Sequence, residues 1–198
     1  MEAVVCPVES VSKMQSRIVT PYSAPIRVLH WLTAITVVTA VVYGPGGSEE
    51  RVYAAARDFE RQLHETLGLC VLALVVIRLL WRAFDRRPEP PPGPRWMSLV
   101  AGAAHAALYA LLIAVPLTAI GGAWLEGHPL TLLWGLAVPA PVAESHALGA
   151  TIAEVHTWLG DAIIWLAGAH AAAGLFHHYI LKDGVLRAML PWPNARRR

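Results

Sequence analysis

Seven of the chain's nine histidines, His30, His64, His105, His156, His170, His177 and His178, stand in or at the edge of long apolar stretches. An imidazole can carry a proton or bind a metal, and in apolar surroundings it is costly unless it is paired, ligated or facing a cavity. His156 and His170 share one stretch, Thr151 to Ile180. In a helix they return to within about 40° of the same face, roughly 21 Å apart along the axis. That spacing puts one histidine near each side of a bilayer, and each needs a partner at its own level. Iron in two stacked haems of b type, held by histidine pairs drawn from facing helices, meets that need.

The composition says what kind of body surrounds such a site. Hydrophobic residues make up 56% of the 198 and charged residues only 15%, against about 25% charged in ordinary soluble domains. This fits a membrane bundle in contact with lipid. Cys6 and Cys70 lie in different settings, and no C-x-x-C-H attachment motif occurs. No disulfide framework follows, and haem would be held by axial ligation and packing alone. A net charge of +2 gives no reason to expect nucleic acid as a partner. The first twenty-five residues hold no long apolar run, so no cleavable secretory signal is expected and the first span directs insertion.

Four apolar stretches are long enough to cross a membrane, which predicts an all-α fold, a transmembrane four-helix bundle over residues 25–181. A mobile tail, residues 1–24 with Lys13 and Arg17, leads to a first span from about Ile26 to Tyr43, stopped by Gly44-Pro45-Gly46-Gly47. The linker from Ser48 to Gln62 mixes acids with Arg51, Arg57 and Arg61 and is expected to form an interfacial helical turn. The second span runs from about Leu63 to Phe84 with His64 in its first turn, and a proline-rich break, Pro88 to Pro94, follows. The third runs from about Trp96 to Ile120, with His105 a third of the way in and a kink expected at Pro116. Residues 121–150 read as an extramembrane loop with one short interfacial piece, Leu130 to Val138. The fourth span ends before a basic tail, residues 182–198, closing in Arg196-Arg197-Arg198.

With four spans both termini share one side. That side carries Lys13, Arg17, Arg27, the arginines from Arg78 to Arg95, Lys182, Arg187 and the terminal arginines, leaving Arg51, Arg57 and Arg61 opposite. The positive-inside rule puts both termini in the cytoplasm. His64 and His156 then begin spans at the outer face and lie at one depth. His170 lies toward the inner face, where its partner is either His30 of the first span or His105 of the third, with some preference for His30. His105 could instead be hydrogen-bonded in the bundle or contact a haem carboxylate.

The remaining polar residues are weighed against blander readings. His177, about 20° from the His170 face and roughly 10.5 Å deeper, is a candidate contact for a haem propionate or a quinone head. Arg27 and Arg78 could neutralise propionates or simply anchor the inner face by snorkelling. Asp161, inside the fourth span, is a candidate for proton handling. His178 is expected at the interface, His128 and His146 solvated in the outer loop, and Glu65 and Glu154 wet. Trp31, Trp81, Trp96, Trp124, Trp134 and Trp158 suit anchoring aromatics.

Taken in order, PIRVLHW (Pro25 to Trp31), His64 with Gly68, Ala104 to Pro116 with His105, His156, and HAAAGLFHHYILKDGVLRAML (His170 to Leu190) resemble the bacterial cytochrome b561 family. These pieces touch all four spans. The resemblance implies a four-helix dihaem protein of the bacterial inner membrane, with His30 and His170 ligating the inner haem and His64 and His156 the outer one. It implies that His105 is matched in kind but is not a ligand. It also implies electron exchange with ubiquinone, and in one kind of member the oxidation of superoxide at the outer face. Related cytochrome b subunits of hydrogenases and dehydrogenases share the architecture but serve a partner redox protein. The third loop here contains no Lys or Arg, and Glu154 stands in the approach to His156, which opposes an anionic substrate.

Overall fold

A computed structural model describes residues 21–85 and 94–190. Lys13, Arg17, Cys6, Arg86, Arg87, most of the Pro88 to Pro94 break, Trp192 and the terminal arginines lie outside the described residues. Four long helices carry the structure: α1 (Ala24–Val42), α3 (Asp58–Phe84), α4 (Arg95–Leu125) and α5 (His146–Phe176). A short α2 (Glu49–Val52) and a 3-10 turn (Ala55–Arg57) lead into α3. Each long helix is long and apolar enough to cross a membrane. The all-α transmembrane bundle expected from the sequence is therefore what the chain forms.

Several boundaries differ from those expected, each for a local reason. The second span begins at Asp58, five residues before Leu63. Asp58 and Glu60 suit the positive end of a helix dipole, and Arg57–Glu60, Arg61–Asp58 and Arg61–Glu65 pair at helical spacing. The third does not stop at Ile120 but continues through Gly121-Gly122 to Leu125. Gly122 serves packing, since a Cβ there would lie 3.2 Å from the backbone nitrogen of Ala153 on α5; Gly149 of α5 does the same from the other side, where a Cβ would lie 2.8 Å from the backbone nitrogen of Glu126. The fourth helix starts at His146 rather than Thr151. The expected interfacial piece of the outer loop is a hairpin, β1 (Leu130–Thr131) paired antiparallel with β2 (Ala137–Val138) around a tight turn at Leu133–Gly135.

Helices α1 and α3 pack closely, as do α4 and α5, while α3 meets α4 over a smaller area. Between the two pairs lies the apolar core of Val71 and Val75 from α3, Leu112 from α4 and Ile163 from α5. Ile163 is midway along α5 between His156 and His170, so this core is a plug separating two levels. At the inner end α5 loosens into a π turn (His177–Leu181), and α6 (Val185–Met189) folds back beneath α1. Tyr22 N–H donates to Ala188 O, Arg27 to Leu190 O and Trp31 Nε1 to Met189 O, at 3.2, 3.0 and 2.8 Å. Trp31, expected as a membrane anchor, is thus a tether for this segment.

Candidate functional site

The bundle brings the histidines together at two levels. At the outer level His64 of α3 faces His156 of α5 with ring centres 6.1 Å apart; at the inner level His30 of α1 faces His170 of α5 at 6.2 Å. A metal–imidazole nitrogen distance of about 2.0 Å, with roughly 1.1 Å more to each ring centre, places two rings opposed across one metal about 6.2 Å apart. Both pairs have that spacing. His105 of α4 also approaches His170, at 5.2 Å between ring centres, which is tighter than opposed ligation of one ion needs.

The outer rings are oriented by backbone carbonyls. His64 Nδ1 donates to Ala40 O at 2.7 Å and His156 Nδ1 to Val115 O at 2.9 Å. A carbonyl only accepts, so Nδ1 carries the proton in each ring and Nε2 keeps its lone pair. The two carbonyls differ in how free they are. Ala40 is in the last turn of α1, whose end leaves carbonyls without helical partners. Val115 O lies inside the continuous α4 and is shared, accepting from Thr118 Oγ1 at 2.9 Å as well as from His156; the N–H missing at Pro116 frees a carbonyl one turn earlier, at Leu112. Gly44, just after α1, would bring a Cβ to 3.4 Å from the His64 ring.

Two glycines leave room beside the outer pair. Gly68 and Gly160 each follow a facing histidine by four residues, on nearly the same helical face, and a Cβ at either would meet nothing within 4 Å. A flat macrocycle needs such clearance. Near the inner pair, Arg78 is 8% exposed and lies close enough to His30 and His170 for its charge to act on both rings. Its guanidinium stacks over Tyr109 at 5.4 Å, with Arg82 over the same ring at 5.8 Å, and its buried Nε has no hydrogen-bond partner among the described residues. A buried cation with an unused donor is suited to an anionic group such as a carboxylate.

The other candidates fall elsewhere. Arg27 is held to Leu190 O. His177 opens the π turn, and its Nδ1 pairs with Asp183. Asp161 is exposed on the outside of the bundle, away from both histidine pairs. Two expectations for the outer rim are overturned. Glu65 is not wet: its side chain is 13% exposed, pairs with Arg61 and accepts the backbone N–H of Thr131. His128 is not freely solvated: it stacks on Tyr53 at 3.5 Å and bonds Glu49 at 2.7 Å. With Leu133 N–H donating to Thr66 Oγ1 at 2.9 Å, these contacts clamp the hairpin onto the first turns of α3, beside His64. The Tyr53 hydroxyl is held well above its ordinary pKa by burial and then by the Glu65 and Glu126 carboxylates, and burial also raises Glu126. Glu65 and His128 carried no motif; only the start of α3 at Asp58, one turn early, could have signalled a folded rim.

A membrane four-helix bundle with histidines opposed at two depths is the architecture of transmembrane b-type cytochromes. Comparison with known proteins agrees: residues 21–192 match the family model described as prokaryotic cytochrome b561, and the chain belongs to that family. It is 32% identical over 162 residues to cytochrome b561 homolog 2 of Escherichia coli (strain K12), covering 81% of this chain and 86% of that protein. It is 30% identical over 169 residues, 82% and 92% of the two chains, to a Yersinia pestis protein named "Probable superoxide oxidase CybB". It is also 32% identical over 175 residues, 82% and 90%, to cytochrome b562 of Cereibacter sphaeroides. Membership makes the protein a membrane electron-transfer cytochrome, implies haem b as its cofactor, and points to a multi-pass protein of the bacterial inner membrane.

Proposed function

We propose that the chain passes electrons between a donor at the outer face and ubiquinone, using two haems of b type, one ligated by His64 and His156 and the other by His30 and His170. The observation that carries this reading is the equal spacing of the two ring pairs, 6.1 and 6.2 Å. Two imidazoles per level are the residues that would hold the iron of a b-type haem. When bound, haem b would supply reversible one-electron chemistry, held by these histidine pairs. The residues do the rest. Ala40 and Val115 hold the outer rings in the ligating tautomer, Gly68 and Gly160 leave clearance, and Arg78 meets an inner propionate. The core of Val71, Val75, Leu112 and Ile163 keeps water from the space between the levels. The distribution of Lys and Arg supports an orientation with both termini in the cytoplasm.

A pyridine haemochrome assay on the purified protein tests the cofactor reading and is expected to give two haems per chain; one would break a pairing. The likeness to the Yersinia protein raises superoxide as the donor. Mixing protein and ubiquinone with a steady superoxide source tests that, with haem reduction the expected sign. If a chemical reductant reduces the haems and superoxide does not, superoxide oxidation is rejected.

The outer rim favours a second reading of the donor. Glu49, Glu50, Asp58, Glu60, Glu126 and Glu144 outweigh Arg51, Arg57 and Arg61 there, and such a field attracts a positively charged partner and repels an anion. On that reading the chain is the haem b subunit of a hydrogenase or dehydrogenase, and isolation of a stable complex with such an enzyme would establish it.

A further inference from the structure

At the opposite end from that acidic rim, the π turn and α6 form a half-open cavity of about 240 Å³ lined by His178, Tyr179, Lys182, Gly184 and Arg187. We propose that this cavity binds the phosphate headgroup of an anionic phospholipid, whose acyl chains lie along the exposed apolar end of α5.

Its level in the membrane follows from the helices themselves. His30 faces His170 on the antiparallel α5, so the start of α1 at Ala24, six residues away, is level with Phe176. Lys182 and Arg187 therefore stand just beyond the end of the apolar span, at headgroup depth. The backbone makes the concavity: the α-helix ends at Phe176, the π turn widens the chain, and Lys182 (φ 53) and Gly184 (φ 83) both take the left-handed conformation that reverses it. A lysine in that conformation is uncommon, and here the residue lines the opening.

The charge is one-sided. The carboxylate in this turn, Asp183, is taken by His177. Among the described residues neither Lys182 nor Arg187 has a carboxylate within ion-pair distance. An ammonium, a guanidinium, an imidazole and a phenol around one opening form a donor set for a phosphodiester. Basic pockets at the ends of transmembrane helices bind lipid headgroups in this way. The volume agrees, since about 240 Å³ falls short of the roughly 300–1,000 Å³ that encloses a drug-sized ligand. It suits a headgroup whose tails remain outside. Tyr179 and Ile180, 66% and 65% exposed, and Phe176, 50%, continue the surface from the cavity onto the lipid face of α5.

The test uses the full-length protein reconstituted in phosphatidylcholine vesicles containing phosphatidylglycerol, then re-extracted, with retained lipid measured by mass spectrometry. Wild type is expected to retain phosphatidylglycerol selectively. Lys182→Gln combined with Arg187→Gln should lower that retention roughly thirtyfold, the loss expected for two basic contacts, while the Lys182→Arg/Arg187→Lys exchange keeps most of it. Selectivity of the wild type is decisive by itself should the double variant misfold. Equal retention of phosphatidylcholine, unchanged retention in a folded double variant, or displacement of the lipid by millimolar inorganic phosphate would each overturn the proposal, the last by showing a small-anion site.

Discussion

His156→Ala removes one member of the outer pair and nothing from the inner one. The structure sets the size of the effect. His156 and His170 are fourteen residues apart on α5, roughly 21 Å along the axis, and Ile163 and Val75, 5% and 0% exposed, are packed between the two levels. Sites farther apart than about 10 Å without shared partners respond independently. The variant also loses the bond from His156 Nδ1 to Val115 O, 2.9 Å in the wild type, worth about 1 kcal/mol. Such a loss leaves the bundle folded. Haem per chain should therefore fall by half, one of two waves should vanish from a redox titration, and helical circular dichroism should be unchanged. Imidazole added to the variant should restore part of the lost absorbance by entering the vacated space. Loss of the inner component alone, or of neither, would refute the pairing; loss of both with helicity intact would refute the independence of the two levels.

Other perturbations separate ligation from packing. His105→Leu should leave both haems bound, because the 5.2 Å approach to His170 is too close for opposed ligation; loss of the inner spectral component would make His105 the ligand in place of His30. Gly68→Leu should abolish the outer haem while the apo-protein stays folded, since its side chain enters open space; full outer occupancy would show that the space is not where the cofactor lies. Gly149→Ala forces a Cβ to 2.6 Å from Glu126 Cγ and 2.8 Å from its backbone nitrogen, and should cost about 1–3 kcal/mol, read as a lower Tm in detergent. Burial raises the Glu126 pKa, so the native state holds its proton longer than the unfolded chain does. Stability therefore falls as pH rises from the ordinary carboxylate pKa to the raised one. Glu126→Gln should give a higher Tm than wild type above that window and no advantage below it, so a constant difference across pH would exclude the buried charge as the cause.

Much of this site could be read from residue types and spacing. Apolar runs gave the four spans, and the depths of His64, His156 and His170 within them followed from helical rise. Equal depth pointed to His64 and His156 as a pair, and how α3 and α5 are turned brings their rings to face each other. The partner of His170 could not be read this way, because His30 and His105 both reach its level and only the placement of three helices distinguishes 6.2 Å from 5.2 Å. Gly121-Gly122 misled because a glycine pair is read as a helix breaker. In the bundle Gly122 instead lets α4 and α5 approach. The rim around Glu65, Tyr53 and His128 was illegible because its members lie far apart in sequence and meet through a hairpin without periodic pattern.

The two levels differ in ways that bear on the direction of electron movement. The outer pair rests on neutral carbonyls beneath a rim with excess carboxylates, whereas the inner pair lies near Arg78, whose guanidinium shares the Tyr109 ring with that of Arg82. A cation in a low-dielectric interior acts strongly on nearby charge, and it favours whichever redox state carries the extra electron. Under the proposed ligation the inner site holds an electron more tightly than the outer one, so electrons entering at the rim are drawn inward. The same asymmetry sets the donor a constraint, for an anion must cross a repulsive field to reach His64 and His156, and a cationic protein need not.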